Sequence, residues 1–127
     1  MSADEGTIWG YFLSKFGKDY KRFDYDLRVG QGTTPIQSIP ENFIRDYQDL
    51  TKARIDAVGY NDNLATIFEV KQRASLSAIG QLIGYSQLFR QTFPNFNIEK
   101  KVLVCSSITK EYLKLIEAQG IVVIVLP

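Results

Sequence analysis

Apolar residues recur along this chain with two different periods, and the changes of period mark its elements. Ile8, Trp9, Phe12, Leu13 and Phe16 stand at helical spacing and predict a helix over residues 3–17. Ser2-Ala3-Asp4-Glu5 ahead of it fits a capping box, and Gly17 offers a stop. Residues 23–29 alternate loosely and predict a strand. Residues 54–60 and 64–71 are rich in Ile, Val, Phe, Tyr and Thr, and predict two more. Asn61-Asp62-Asn63 between them tolerates left-handed backbone and bonds its own main chain, so these strands close into a hairpin. A helix follows over residues 75–93, striped by Leu76, Ile79, Leu82, Ile83, Phe89 and Phe93. Gln81 and Tyr85, one turn apart, lie on roughly the side opposite that stripe, flanked by Gly80 and Gly84. Residues 101–106 and 121–126 predict strands covered on both faces, with a helix over 110–119 between them. Residues 30–40 form a turn-rich connection, and 41–50 predict a short helix. The order describes one α/β domain over residues 1–127: helix, three strands, helix, strand, then an appended helix and strand.

The hairpin carries the chemistry. If Asp62 and Asn63 form a two-residue loop, Asn61 pairs with Leu64 and Asp56 stands opposite Glu69. Opposed side chains share a face with Cβ atoms about 5 Å apart. Lys71, two residues on, shares that face too. A four-residue loop preserves this arrangement; a three-residue loop sends Asp56 to the other face. Two carboxylates so close repel by roughly 3 kcal/mol at an effective dielectric of about 20. A divalent cation between them reverses the sign, and Mg2+ prefers carboxylate oxygen while keeping waters that a phosphate can replace. The alternative is a solvated stripe of cross-strand charge pairs. Glu5 points toward the core side of its helix, where it either caps the helix or reaches the metal as a third acid.

Composition narrows the options. The 127 residues carry a formal net charge of +1, so no global basic field advertises a polyanion partner. With no histidine, a histidine base, a Ser-His-Asp triad and imidazole-held zinc are all excluded. Cys105, the one cysteine, sits in an apolar run and reads as a small buried hydrophobe. The absence of any pairing cysteine fits a reducing, cytoplasmic setting, and no apolar run is long enough to span a membrane as a helix. The stretch 15–22 combines Lys15, Lys18, Lys21 and Arg22 with Phe16 and Tyr20; such a run either tracks phosphates or is a solvated surface, and we favour the surface.

The Asp56 … Glu69-Val70-Lys71 hairpin within this element order, followed by Gln81-Leu82-Ile83-Gly84-Tyr85 on the next helix, resembles the PD-(D/E)XK nuclease superfamily. The QxxxY spacing is similar to that of its RecB-type and phage exonuclease branch. The resemblance implies a restriction-endonuclease-like αβββαβ core, here with a C-terminal αβ extension. It implies a nuclease acting on DNA with Mg2+, for which Mn2+ substitutes. Asp56 and Glu69 would bind the metal together with the Val70 carbonyl and Glu5, and Lys71 would position the attacking water. Gln81 would hold the catalytic face, and Tyr85 would contact the nucleic-acid backbone; Arg73, beyond Lys71, is the other candidate for that contact. Ile55 stands where the family pattern has proline. A domain this small is expected to act as an oligomer or within a larger complex. The other reading is a silent nuclease-like module with a structural or assembly role, as in a viral particle.

Overall fold

The computed structural model describes residues 1–30 and 53–127. Most of the turn-rich connection and the short helix expected over 41–50 lie outside the described residues. The elements are α1 (Ala3–Phe16), β1 (Arg22–Val29), β2 (Ala53–Asn61), β3 (Leu64–Arg73), α2 (Ser77–Thr92), β4 (Asn97–Ser107), α3 (Lys110–Glu117) and β5 (Val122–Val125). A single 3-10 turn, Gly17–Asp19, follows α1. The strands form one five-stranded sheet in sequence order. β1, β2 and β3 run antiparallel, whereas β4 and β5 join parallel to β3. This is the mixed α/β architecture expected from the sequence.

Two successive crossovers in the same direction along a sheet place their helices on one face. Accordingly, α2 (Ala78, Leu82, Phe89) and α3 (Ile116) share a core with Val58, Tyr60, Ala65, Ile67 and Leu103 of the sheet. Among the described residues α1 is the helix that covers the other face, through Ile8, Trp9 and Phe12 against Ala57, Phe68, Val70, Val102 and Val104. Its start is fixed by a complete capping box: Glu5 N–H donates to Ser2 Oγ at 3.2 Å, and Ser2 N–H donates to Glu5 Oε1 at 2.9 Å. Gly17 stays right-handed at φ −57°, so the helix tightens into the 3-10 turn instead of reversing. Trp9 stacks on Phe12 at 4.7 Å and meets Phe68 edge-on at 5.1 Å. Its indole N–H donates to the Tyr25 hydroxyl at 3.0 Å.

Beneath these rings β2 carries Gly59, where a Cβ would stand 2.7 Å from Tyr20 Cδ1 and 3.0 Å from Phe23 Cε1. Gly59→Ala is therefore expected to destabilise the domain by about 1–3 kcal/mol through overpacking. A thermal melt checks this: the midpoint should fall by several degrees, and an unchanged midpoint would show that the rings yield.

Two expectations are corrected. β5 is an edge strand: Val122 is 43% and Val125 52% exposed, while Val123 and Ile124 between them are partly buried against the two cores. α2 packs through much of the expected stripe, with Leu82 and Phe89 buried and Ile79 and Phe93 partly buried against the core, but Leu76 is 40% exposed and Ala78 and Ser86 join the buried face. Small Ala78 and Ser86 let the helix lie close on the sheet, so side-chain size selects its inner face. Gln81 and Tyr85 border that face and do not oppose it. Among the described residues no helix is long and apolar enough to cross a membrane.

Candidate active site

The hairpin loop is Asp62-Asn63, with Asn61 paired to Leu64 and Ala57 to Phe68. Asp62 adopts φ 54°, a left-handed conformation that a short polar side chain tolerates. This register brings Asp56 opposite Glu69, but the paired ladder stops one step before them. Beyond that step the Val70 N–H donates to Asp56 Oδ2 at 2.8 Å, so a side chain takes over from main-chain pairing.

The pleat changes at the same level. Tyr25 of β1 and Ala57 of β2 face α1, and one step back toward Asp24 and Val58 the side chains face α2. Strict alternation would then return Leu27 and Ile55 to the α1 face, yet both pack on the α2 side. The reversal falls at Asp26, held at φ 49°, and at Asp56 beside it. An aspartate inside an alternating strand was the available signal for this irregularity.

On β3, Glu69 and Lys71 alternate with Phe68 and Val70, which face α1, and so turn toward α2. Glu69 is only 3% exposed. Its Oε1 lies 3.3 Å from Lys71 Nζ, and its Oε2 is buried with no hydrogen-bond partner. Burial, then the neighbouring Asp56 charge, pushes the Glu69 carboxyl up to about 8. Asp56 is also raised by burial, against the opposing pull of the Val70 N–H. Burial draws Lys71 down, but Glu69, Asp56 and Glu5 together hold it above the ordinary lysine value. It therefore stays an ammonium. Without a cation, the two acids keep a proton at neutral pH.

α2 brings Gln81 and Tyr85 to the same place. Tyr85 is raised by burial and by Glu69, with the Gln81 amide beside its hydroxyl drawing it back. Gln81 Oε1 is buried and unpartnered. Arg73 is exposed at the end of β3, in register with Ser107. Of the two roles open to Glu5, the structure shows the helix cap. Its Oε1 is engaged in the capping box, and among the described residues no three acidic side chains gather closely enough to hold a metal. Its charge still reaches Asp56 and Lys71. Two charged residues of the run 15–22 have partners within the domain. Lys21 Nζ pairs with Asp62 at 2.8 Å, and the Arg22 guanidinium lies 3.8 Å over the Tyr60 ring. Both stand at the turn end of the hairpin, far along the strands from Asp56.

The donor set fits a hard divalent cation. Asp56 and Glu69 offer oxygen only, which suits Mg2+ or Mn2+ and not a thiolate- or imidazole-seeking metal. The orphaned Glu69 Oε2 is an acceptor that a proton or a cation must satisfy.

No curated protein matches the sequence. Among solved structures, the chain is similar to one described as "Structure of EndoMS-dsDNA2 complex", with 16% identity and a TM-score of 0.55. The match covers 99% of this chain and 46% of that one, so the chain spans about half the length of that relative. Likeness at this identity shows a shared fold, and it includes α1. In sequence, residues 29–126 match the model of the endonuclease NucS C-terminal domain, a stretch that holds Asp56, Glu69, Lys71, Gln81 and Tyr85. The chain belongs to the endonuclease NucS C-terminal domain family.

Proposed function

We propose that this domain is a metal-dependent endonuclease that hydrolyses phosphodiester bonds of DNA in the PD-(D/E)XK manner. One observation carries the reading: Asp56, Glu69 and Lys71 converge where the β2–β3 ladder opens, leaving a buried carboxylate oxygen without a partner. Family membership and the solved relative's title, which names a complex with double-stranded DNA, support the substrate.

Asp56 and Glu69, with the Val70 carbonyl, would hold the cation. When bound, Mg2+ supplies charge stabilisation at the phosphoryl oxygens and a coordinated water of lowered pKa. The chain's own groups do the rest. Asp56 is aimed by the Val70 N–H, so its carboxylate needs no reorganisation. Lys71 keeps its positive charge against Glu69 and stabilises negative charge developing on the phosphoryl oxygens. Gln81 holds the Tyr85 hydroxyl, which remains protonated at working pH and donates to the sugar-phosphate backbone. Arg73 adds charge at the exit of β3. Each such centre cuts one strand, so a double-strand break calls for a second copy or a larger assembly.

The test is incubation of the protein with end-labelled linear DNA, with and without Mg2+. Cleavage that needs the metal is expected. Lys71→Ala should retain Mn2+ binding by calorimetry while slowing the chemical step about a hundredfold or more. Cleavage in a chelator at the same rate would overturn the reading.

A further inference from the structure

We propose that the strand being cut lies along a track between β3 and α2 that is shut at one end, and that Arg73 and Ser77 hold the phosphate next to the scissile one at the open end. The inference rests on the nuclease reading and adds to it a one-sided demand on the substrate.

Two walls define the track. On β3, Glu69, Lys71 and Arg73 stand at alternate positions and share the face toward α2. Their register partners on β4 are Leu103, Cys105 and Ser107, of which Leu103 and Cys105 belong to the core under α2. On α2, Ser77, Gln81 and Tyr85 follow at four-residue intervals and form one row along the helix. The crossover from β3 to the parallel β4 sends α2 back antiparallel to both strands. Row and strand therefore pass each other in opposite chain directions. Tyr85 stands level with Glu69, whose charge, after burial, raises the Tyr85 hydroxyl. From Glu69 to Arg73 is about 13 Å of strand, and from Tyr85 back to Ser77 about 12 Å of helix. The walls stay in step: Lys71 comes beside Gln81, and Arg73 beside Ser77.

The ends differ. One step the other way, the same rows reach Ile67 and Phe89, both fully buried in the core. That end is shut. Toward Arg73, exposure rises along both walls. Glu69 is buried, Lys71 half-buried and Arg73 exposed; Tyr85 and Gln81 are half-buried and Ser77 exposed. A strand held at Glu69 and Lys71 leaves over Arg73 and Ser77. Arg73 lies about 7 Å beyond Lys71 on β3, a step that suits successive phosphates of one strand. Its guanidinium fork matches two phosphate oxygens. Ser77 Oγ lies 2.8 Å from Ser75 Oγ, which also accepts from the Ser77 N–H. With Ser75 donating its hydroxyl to Ser77 Oγ, the Ser77 proton is left for a phosphate oxygen. A linkage is then cut well only when its neighbour on the open side is charged, and the last linkage of a strand on that side is a poor substrate.

The test is a duplex with one uncharged methylphosphonate linkage at a defined place, cut with Mg2+ and read at single-nucleotide resolution beside the all-phosphate duplex. Wild type should lose cleavage at the modified linkage and, by about tenfold or more, at its neighbour on one side only. In Arg73→Ala, cleavage should fall at every linkage, and the modification should no longer matter at that neighbour. Arg73→Lys should bring the one-sided loss back, since the charge returns. Ser77→Ala should shrink that loss without removing it. Equal effects on the two neighbours would overturn the track while leaving the nuclease reading intact, as would an Arg73→Ala variant that keeps the one-sided loss. An Arg73→Ala melting midpoint well below wild type would also overturn it, by assigning the guanidinium to the fold. No cleavage of the all-phosphate duplex by wild type would bring down the nuclease reading itself.

Discussion

Asp56→Asn is expected to abolish metal-dependent DNA cleavage in a protein that remains folded. The amide oxygen of asparagine still accepts the Val70 N–H that Asp56 Oδ2 now accepts at 2.8 Å, so the local backbone keeps its partner. What disappears is the charge. One of the two acids that face the proposed cation site among the described residues is lost, and Glu5 does not replace it while its carboxylate caps α1. Losing several kcal/mol of charge stabilisation slows the step by about a thousandfold or more. A gel assay gives the rate, Mn2+ calorimetry the lost affinity, and circular dichroism the intact fold. Wild-type cleavage in Asp56→Asn would remove the mechanism; loss of both cleavage and fold would mean that Asp56 is structural.

Glu69→Gln is expected to trade activity for stability, in a pH-dependent way. The Glu69 carboxyl titrates near 8 in the folded protein, against an ordinary value of 4.5. Between those values the folded state binds more protons than the unfolded state, so the unfolding free energy falls as pH rises. This contribution is complete below about pH 4.5 and lost as pH climbs through about 8, with a ceiling of a few kcal/mol. Glutamine has no proton to lose. The metal-free Gln variant should therefore melt above wild type at about pH 8 and close to it at about pH 5, while failing to cleave DNA. Saturating Mg2+ should raise the wild-type midpoint and leave that of the variant in place, since only wild type binds it. Melts across that pH range, with and without Mg2+, check both limbs. A variant that melts lower at alkaline pH would show that Glu69 is held by partners strong enough to keep it ionised.

Much of this was legible because the deciding forces were local. Asn61-Asp62-Asn63 specifies a short reversal by its own chemistry. The two-residue loop then fixes the register, which carries Asp56 to Glu69 without help from the rest of the chain. The Ser2–Glu5 box likewise closes within one turn of α1. Errors arose where neighbours decide. Leu76 looked like part of the α2 core, but helix-to-sheet distance favours small residues, and Ala78 and Ser86 form the contact. The run 121–126 looked buried on both faces, but β5 lies at the edge of the sheet among the described residues, and Val122 and Val125 are exposed there. The pleat reversal at Asp26 was hidden because it depends on both strands slipping at one level, which no single-strand periodicity reveals.

The chain's single indole, at Trp9, is buried and hydrogen-bonded to Tyr25. It is therefore a built-in fluorophore. Its emission reports specifically on whether the first helix is seated on the sheet, with no background from another tryptophan. Seating and release of the helix can therefore be followed without attaching a dye to the protein.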